Sequence, residues 1–300
     1  MSSIKEITDR FDFKVNKCQY CNNIRILDTD NGKFVIKNND SNNNELFKYL
    51  QTKNFHNFLN LYNYDEKYEV YPYIDEIKLN DEEKAIDIIY LISILHNKTT
   101  FYKEIDLDSI KTLYEDINNK LAYLTNYYDN LRTIIEEKIY PSPSNYLLLR
   151  NISLIFRSID DSKYFIDKWY NVIKNKSSYR VATVHNYLEL NHLLKGDNTY
   201  LISWDKSIKA SPIYDLLSLY KNIYDEVEFY SLFEMYNSRY PLTEDEIYLF
   251  LSLMMVPEKI DLTSSEIVNT KEVYKLTNYL IKTTSFALKY NPEKSNKQTN

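Results

Sequence analysis

Several residues in this chain are of types and spacings that could do chemistry. Val35-Ile36-Lys37 ends a β-branched run on a lysine, and Glu45 opens the next segment, where it is placed to pair with that lysine. A cation at a strand end can neutralise a phosphate or a carboxylate. Further along, Val184-His185-Asn186-Tyr187-Leu188-Glu189-Leu190-Asn191-His192 gathers two imidazoles, a phenol and a carboxylate, groups that can move protons or hold a metal. Leu201-Ile202-Ser203-Trp204-Asp205 adds a hydroxyl and a carboxylate, and Asp215 follows 12 residues after Ser203. Cys18 and Cys21 form a CxxC pair. A zinc site needs four ligands, and the sequence holds neither a second CxxC nor an HxxxH partner. The pair also lies in a strand-like stretch, not at a helix start that would favour the thiolate, so both read as ordinary residues. His96, alone at the end of an apolar helix, reads as a structural hydrogen-bonding residue.

These groups must be positioned by two kinds of secondary structure. Residues 24–27 and 33–37 are β-branched runs flanking Asp30-Asn31-Gly32, a strong hairpin signal. Phe11 to Tyr20 predicts an earlier strand of the same sheet. A polar loop from Asn38 to Asn44 leads to a short helix from Glu45 to about Lys53, and Tyr68 to Ile74 alternates like a strand. From Asp81 the period changes to that of a helix, with Ile86, Ile89, Ile92 and Leu95 on one face. Leu107 to Tyr140 predicts two helical stretches, Pro141-Ser142-Pro143-Ser144 breaks them with Ser144 as a cap, and Tyr146–Phe156 and Tyr164–Lys174 predict two more. The segments 183–194 and 200–204 predict a loop and hairpin about the turn Lys195-Gly196-Asp197-Asn198. Helices return over Pro212–Tyr236, Thr243–Met255 and Val268–Tyr290. The fold class is therefore α+β, with a small β-rich N-terminal lobe over residues 1–75, a helical lobe carrying an inserted β-hairpin over 76–290, and a disordered polar tail over 291–300. A cleft between the lobes is the expected binding site.

Composition narrows the function classes. The chain has 300 residues, 44% of them hydrophobic and 27% charged, enough for a sizeable core. It has only two glycines, Gly32 and Gly196, against roughly 21 at average usage. That excludes glycine-rich phosphate loops and the nucleophile elbow. A net charge of −6 with no basic block argues against a nucleic-acid partner. Met1 to Phe13 has no apolar signal-peptide region, and no apolar stretch is long enough to cross a membrane, so a cytoplasmic protein with no membrane partner is expected.

The order and spacing of Lys37, Glu45, residues 70–74 as a linker between lobes, His185, Ser203 and Asp215 resemble the aminoglycoside phosphotransferase and choline kinase superfamily. Within it, the chain looks most like the spore-coat kinase-like proteins of Firmicutes. The resemblance runs to about Tyr290. It implies a two-lobed protein-kinase-like fold, with ATP and Mg²⁺ in the interlobe cleft of active members and a nucleotide or small molecule as partner. Lys37 and Glu45 would be the nucleotide-binding pair, and His185 and Asp215 would brace the catalytic loop.

The resemblance also marks departures. Tyr187 stands where the family places its catalytic Asp, His192 where it places a metal-binding Asn, and Ser203 where it places a metal-binding Asp. Magnesium demands hard oxygen ligands, and a phenol with a pKa near 10 does not act as a base at neutral pH. Losing a general base alone typically costs about 10² to 10⁴ in rate. The sequence therefore predicts a pseudokinase with no confident catalytic or metal residue, acting as a ligand-binding or protein-interaction module. One alternative is an active small-molecule phosphotransferase in which Glu189 and Asp205 rescue the site; Asp205, two residues from Ser203, would share its face if the strand continued. The other is a structural coat-type assembly protein.

Overall fold

The computed structural model describes residues Ile7, 10–21, 24–39 and 43–291. In chain order the elements are β1 (Val15–Cys21), β2 (Ile24–Thr29), β3 (Gly32–Asn38), α1 (Asn43–Thr52), β4 (Asn63–Tyr64), β5 (Tyr68–Pro72), α2 (Asp81–Thr99), β6 (Phe101–Glu104), α3 (Leu107–Glu136) and α4 (Pro143–Ile173). They continue with β7 (Ser178–Val184), β8 (Leu193–Lys195), β9 (Thr199–Leu201), β10 (Ile208–Ala210), α5 (Ile213–Ile223), α6 (Phe229–Arg239), α7 (Glu244–Met255) and α8 (Glu266–Tyr290). The α+β class expected from the sequence is the one observed. The expected tail falls, beyond Asn291, outside the described residues, as do parts of the N-terminal segment and of the 38–44 loop. No helix among the described residues is long and apolar enough to cross a membrane.

The chain divides into two compact units, Met1–Thr100 with Ala182–Lys209 and Phe101–Val181 with Ala210–Asn300. The first unit holds a five-stranded antiparallel sheet in the order β1-β2-β3-β5-β4. Asp30 and Asn31 close the β2–β3 hairpin, with Thr29 opposite Gly32. Gly32 takes φ +117°, a conformation that side chains rarely adopt and glycine reaches without strain. Leu27, Phe34, Ile36, Tyr68 and Val70 point to one face of the sheet and build a core with Ile7 and Phe13. α2 starts as its acidic first turn predicts: Asn80 Oδ1 accepts from the Glu83 backbone N–H (2.8 Å) and Glu83 returns its carboxylate to the Asn80 N–H (3.2 Å).

The second unit is mainly helical, with β6 and β7 paired antiparallel from Phe101↔Val181 to Glu104↔Ser178. Two expected helix pairs prove to be single helices. Leu107 to Glu136 is continuous, and so is Pro143 to Ile173. In the latter the polar stretch after Phe156 does not break the helix, because Ser158 and Ser162 lie on its buried face and donate to the Met255 and Ser252 carbonyls (2.6 and 2.9 Å). Pro143 takes the first helical turn with Ser142 as N-cap, so Ser144 is not the cap. The single helix expected over 212–236 is instead α5 and α6, since the Glu228 carboxylate caps a new start by accepting from the Tyr230 and Ser231 N–H groups (2.9 Å each).

Candidate functional site

Of the singled-out residues, Lys37 and Ser203 line one cavity of the first unit. Side chains alternate across β3, so Phe34 and Ile36 enter the core while Val35 and Lys37 face the other way. Directly opposite residues share a face: Ile26 and Tyr71 flank Val35, and Glu69 stands across from Lys37. The sheet thus presents apolar side chains and, at one end, a lysine beside a carboxylate.

Glu69 is buried and accepts three hydrogen bonds. The Asn43 backbone N–H donates to Oε1 (3.2 Å), while Asn43 Nδ2 (3.1 Å) and the Tyr71 hydroxyl (2.7 Å) donate to Oε2. A carboxylate at the first turn of α1 also satisfies an N–H that the helix cannot pair internally. Burial and the Glu69 contact push the Tyr71 phenol upward, so it stays protonated as a donor.

The ion pair of Lys37 is with Asp205, not with Glu45. Glu45 is exposed. Asn43 occupies the inward position on α1, and a residue two further along a helix points about 200° away. Asn43 Nδ2 also donates to Asp205 Oδ1 (3.3 Å), so one amide joins the two carboxylates.

The loop and hairpin of residues 184–209 supply the rest. His185 is fully buried, its Nε2–H donating to the Ile202 carbonyl (2.8 Å), with its ring 5.0 Å from Trp204 and 5.4 Å from His192. Asn186 next to it takes φ +68°, a left-handed conformation that Asn tolerates better than most residues. Tyr187 is exposed; its hydroxyl donates to Glu189, and Lys206 Nζ stands 4.1 Å over its ring. The Glu189 carboxylate holds the Tyr187 pKa above its usual value, which makes the phenol a weaker candidate for proton transfer. His192 Nδ1–H donates to the Tyr187 carbonyl (2.9 Å), and burial followed by the neighbouring His185 lowers its pKa.

Ser203 corrects an expectation. Its φ of +66° begins a tight helical turn, Trp204–Lys206, so the strand does not continue and Ser203 and Asp205 do not share a strand face. Trp204 anchors the turn: its Nε1–H donates to the Leu201 carbonyl (2.8 Å), and its ring meets Phe47 and Phe55 edge-on. Asp205 is thereby carried to Lys37, and Glu189 is engaged by Tyr187. Asp215 lies in the second unit, fully buried in the first turn of α5 near Tyr236. Cys18 packs against the sheet core and Cys21 is exposed, both as free thiols. His96 is buried in α2.

The cavity has a volume of about 310 Å³, near the lower end for small-molecule sites. Ile24, Ile26, Val35, Tyr71 and Pro72 line it from the sheet, Phe47 from α1, Tyr73, Ile74 and Glu76 from the chain after β5, and Leu194 and Leu201–Trp204 from the hairpin. The lining lies wholly within the first unit. Sequence reasoning missed Asn43, Glu69 and Tyr71; the strand alternation Glu69-x-Tyr71 could have signalled the last two, and nothing local signalled Asn43. As magnesium donors the residues present do not fit. Asp205 is engaged by Lys37 and Asn43, Ser203 offers a neutral hydroxyl and His192 an imidazole. Among the described residues no group of three or more His, Cys, Asp or Glu side chains is arranged to hold a metal ion.

No protein-family model and no curated protein sequence matches the chain. Solved structures do. An aminoglycoside phosphotransferase from Alicyclobacillus acidocaldarius aligns with a TM-score of 0.73 at 12% identity, covering 98% of this chain and 96% of that one. A spectinomycin phosphotransferase solved with AMP aligns at 0.59 and 12% identity, and its complex with ADP and spectinomycin at 0.56 and 11%, each covering 94% of this chain and 96% of that one. At such identities the likeness is one of fold: this chain is built on the kinase-like fold of the aminoglycoside phosphotransferases.

Proposed function

We propose that the chain is a kinase-fold ligand-binding protein that does not transfer phosphate efficiently. The observation that carries this reading is the ion pair of Asp205 with Lys37, a residue that lines the cavity. The lysine that would meet a phosphate is held by the protein's own carboxylate, and that carboxylate is not available to a metal. The replacements at 187, 192 and 203 support the same reading, since phosphoryl transfer depends on positioning and on charge neutralisation by metal ions. A binding role for the cavity is supported by its volume of about 310 Å³ and its largely apolar lining.

The test is transfer from ATP with magnesium to small alcohols and amino-alcohols, read as release of ADP. The purified protein should show no turnover above background, and Lys37→Ala should fold normally. Turnover that Lys37→Ala or Asp205→Ala abolishes, or thermal stabilisation by ATP only when magnesium is present, would establish the phosphotransferase reading instead.

A further inference from the structure

We infer that the cavity of the first unit takes an uncharged, largely apolar small molecule and discriminates against anions; this rests on the ligand-binding reading above. The walls are apolar: Ile26 and Val35 from the sheet, Phe47 from α1, and Leu201 and Trp204 from the hairpin. Transfer of such surface out of water favours an apolar ligand non-directionally. What distinguishes the site is how its polar end is used. Lys37 is the only cation among the described lining residues, and its ammonium is on Asp205. Asn43 Nδ2 is divided between Glu69 and Asp205, and the Tyr71 hydroxyl donates to Glu69. These three donors, which could grip a phosphate or sulfonate, are thus turned onto the protein's own carboxylates. An entering anion must displace Asp205 from Lys37 and then sit beside two acidic side chains. That electrostatic cost is large in a partly enclosed site and absent for a neutral ligand.

The experiment uses two dyes that differ by one charge, N-phenyl-1-naphthylamine and its sulfonate, 1-anilinonaphthalene-8-sulfonate, titrated into the full chain by fluorescence. The neutral dye should bind at one site per chain and at least about tenfold more tightly than the sulfonate. Asp205→Asn, which frees Lys37 at constant side-chain size, should tighten the sulfonate about tenfold relative to the neutral dye. Val35→Phe and Ile26→Phe, each checked by thermal melting, should weaken the neutral dye at least about tenfold by filling the cavity. Equal binding of the two dyes, no response of the sulfonate to Asp205→Asn, or neutral-dye binding indifferent to a folded filling variant overturns the inference. Phosphate turnover would instead overturn the reading beneath it, whatever the dyes show.

Discussion

Lys37 on β3 is held by the carboxylate of Asp205, 168 residues further along the chain. The pair joins the sheet to the hairpin segment that follows β9, and each side chain is about one-third exposed or less, at 26% and 32%. Partly solvated pairs of this kind are worth about 1 kcal/mol or less. Asp205→Asn should therefore lower the melting temperature by no more than about 3 °C. Calorimetry checks this; a loss above about 3 kcal/mol would mark the pair as a structural keystone and not a polar end of the cavity.

Glu69 should behave differently, because its acceptors are buried and shared among three donors. Glu69→Ala leaves the Asn43 N–H and the Tyr71 hydroxyl without their acceptor. The Asn43 amide keeps Asp205 as an acceptor, so two groups are orphaned; at about 1–3 kcal/mol each, a total loss of about 2–6 kcal/mol is expected. Glu69→Gln keeps one carbonyl acceptor and should lose less. Urea unfolding of the two variants checks the order, and an equal loss for both would contradict the hydrogen-bond account.

Gly196 is required by close approach. A Cβ placed there would stand 2.6 Å from Ile74 Cγ2, on the segment that lines the cavity after β5. Gly196→Ala should destabilise by about 1–3 kcal/mol as overpacking. Adding Ile74→Ala should recover part of that loss, giving a favourable coupling in a double-mutant cycle. Simple additivity of the two changes would locate the strain elsewhere.

His192 predicts a pH dependence. Burial and the nearby His185 lower its pKa in the folded chain from the ordinary 6.5. The unfolded chain therefore takes up a proton first as the solution is acidified. The contribution of His192 to stability is fully present above about pH 6.5 and is lost as pH falls from there through the lower folded value. Melting temperatures measured from pH 7.5 down to pH 5 should fall more steeply for the native protein than for His192→Asn. Parallel curves would show that His192 titrates alike in both states.

Much of the framework was legible from the residues alone. Asp30-Asn31-Gly32 fixed the β2–β3 hairpin, since a two-residue turn followed by glycine at positive φ has few alternatives. The change to a helical period at Asp81 marked the start of α2, where the structure adds a local capping box of Asn80 and Glu83. The order of His185, Ser203 and Asp215 pointed to the kinase-like fold that the solved structures share. Helix boundaries were less legible: Ser158 and Ser162 look like a polar interruption until their carbonyl acceptors on α7 are known.

The sequence by itself determined which groups are present near the site and which are missing: a tyrosine at 187, a histidine at 192 and a serine at 203, with almost no glycine to shape a phosphate loop. Tertiary structure alone decided which groups meet. Helical geometry turns Glu45 outward and Asn43 inward, strand pairing sets Glu69 beside Lys37, and the left-handed Ser203 ends the strand so that Asp205 reaches the lysine. Local propensity can set a turn or a cap, because the partners lie within a few residues. A pairing across 168 residues depends on where every intervening element packs, and only the folded chain holds that information.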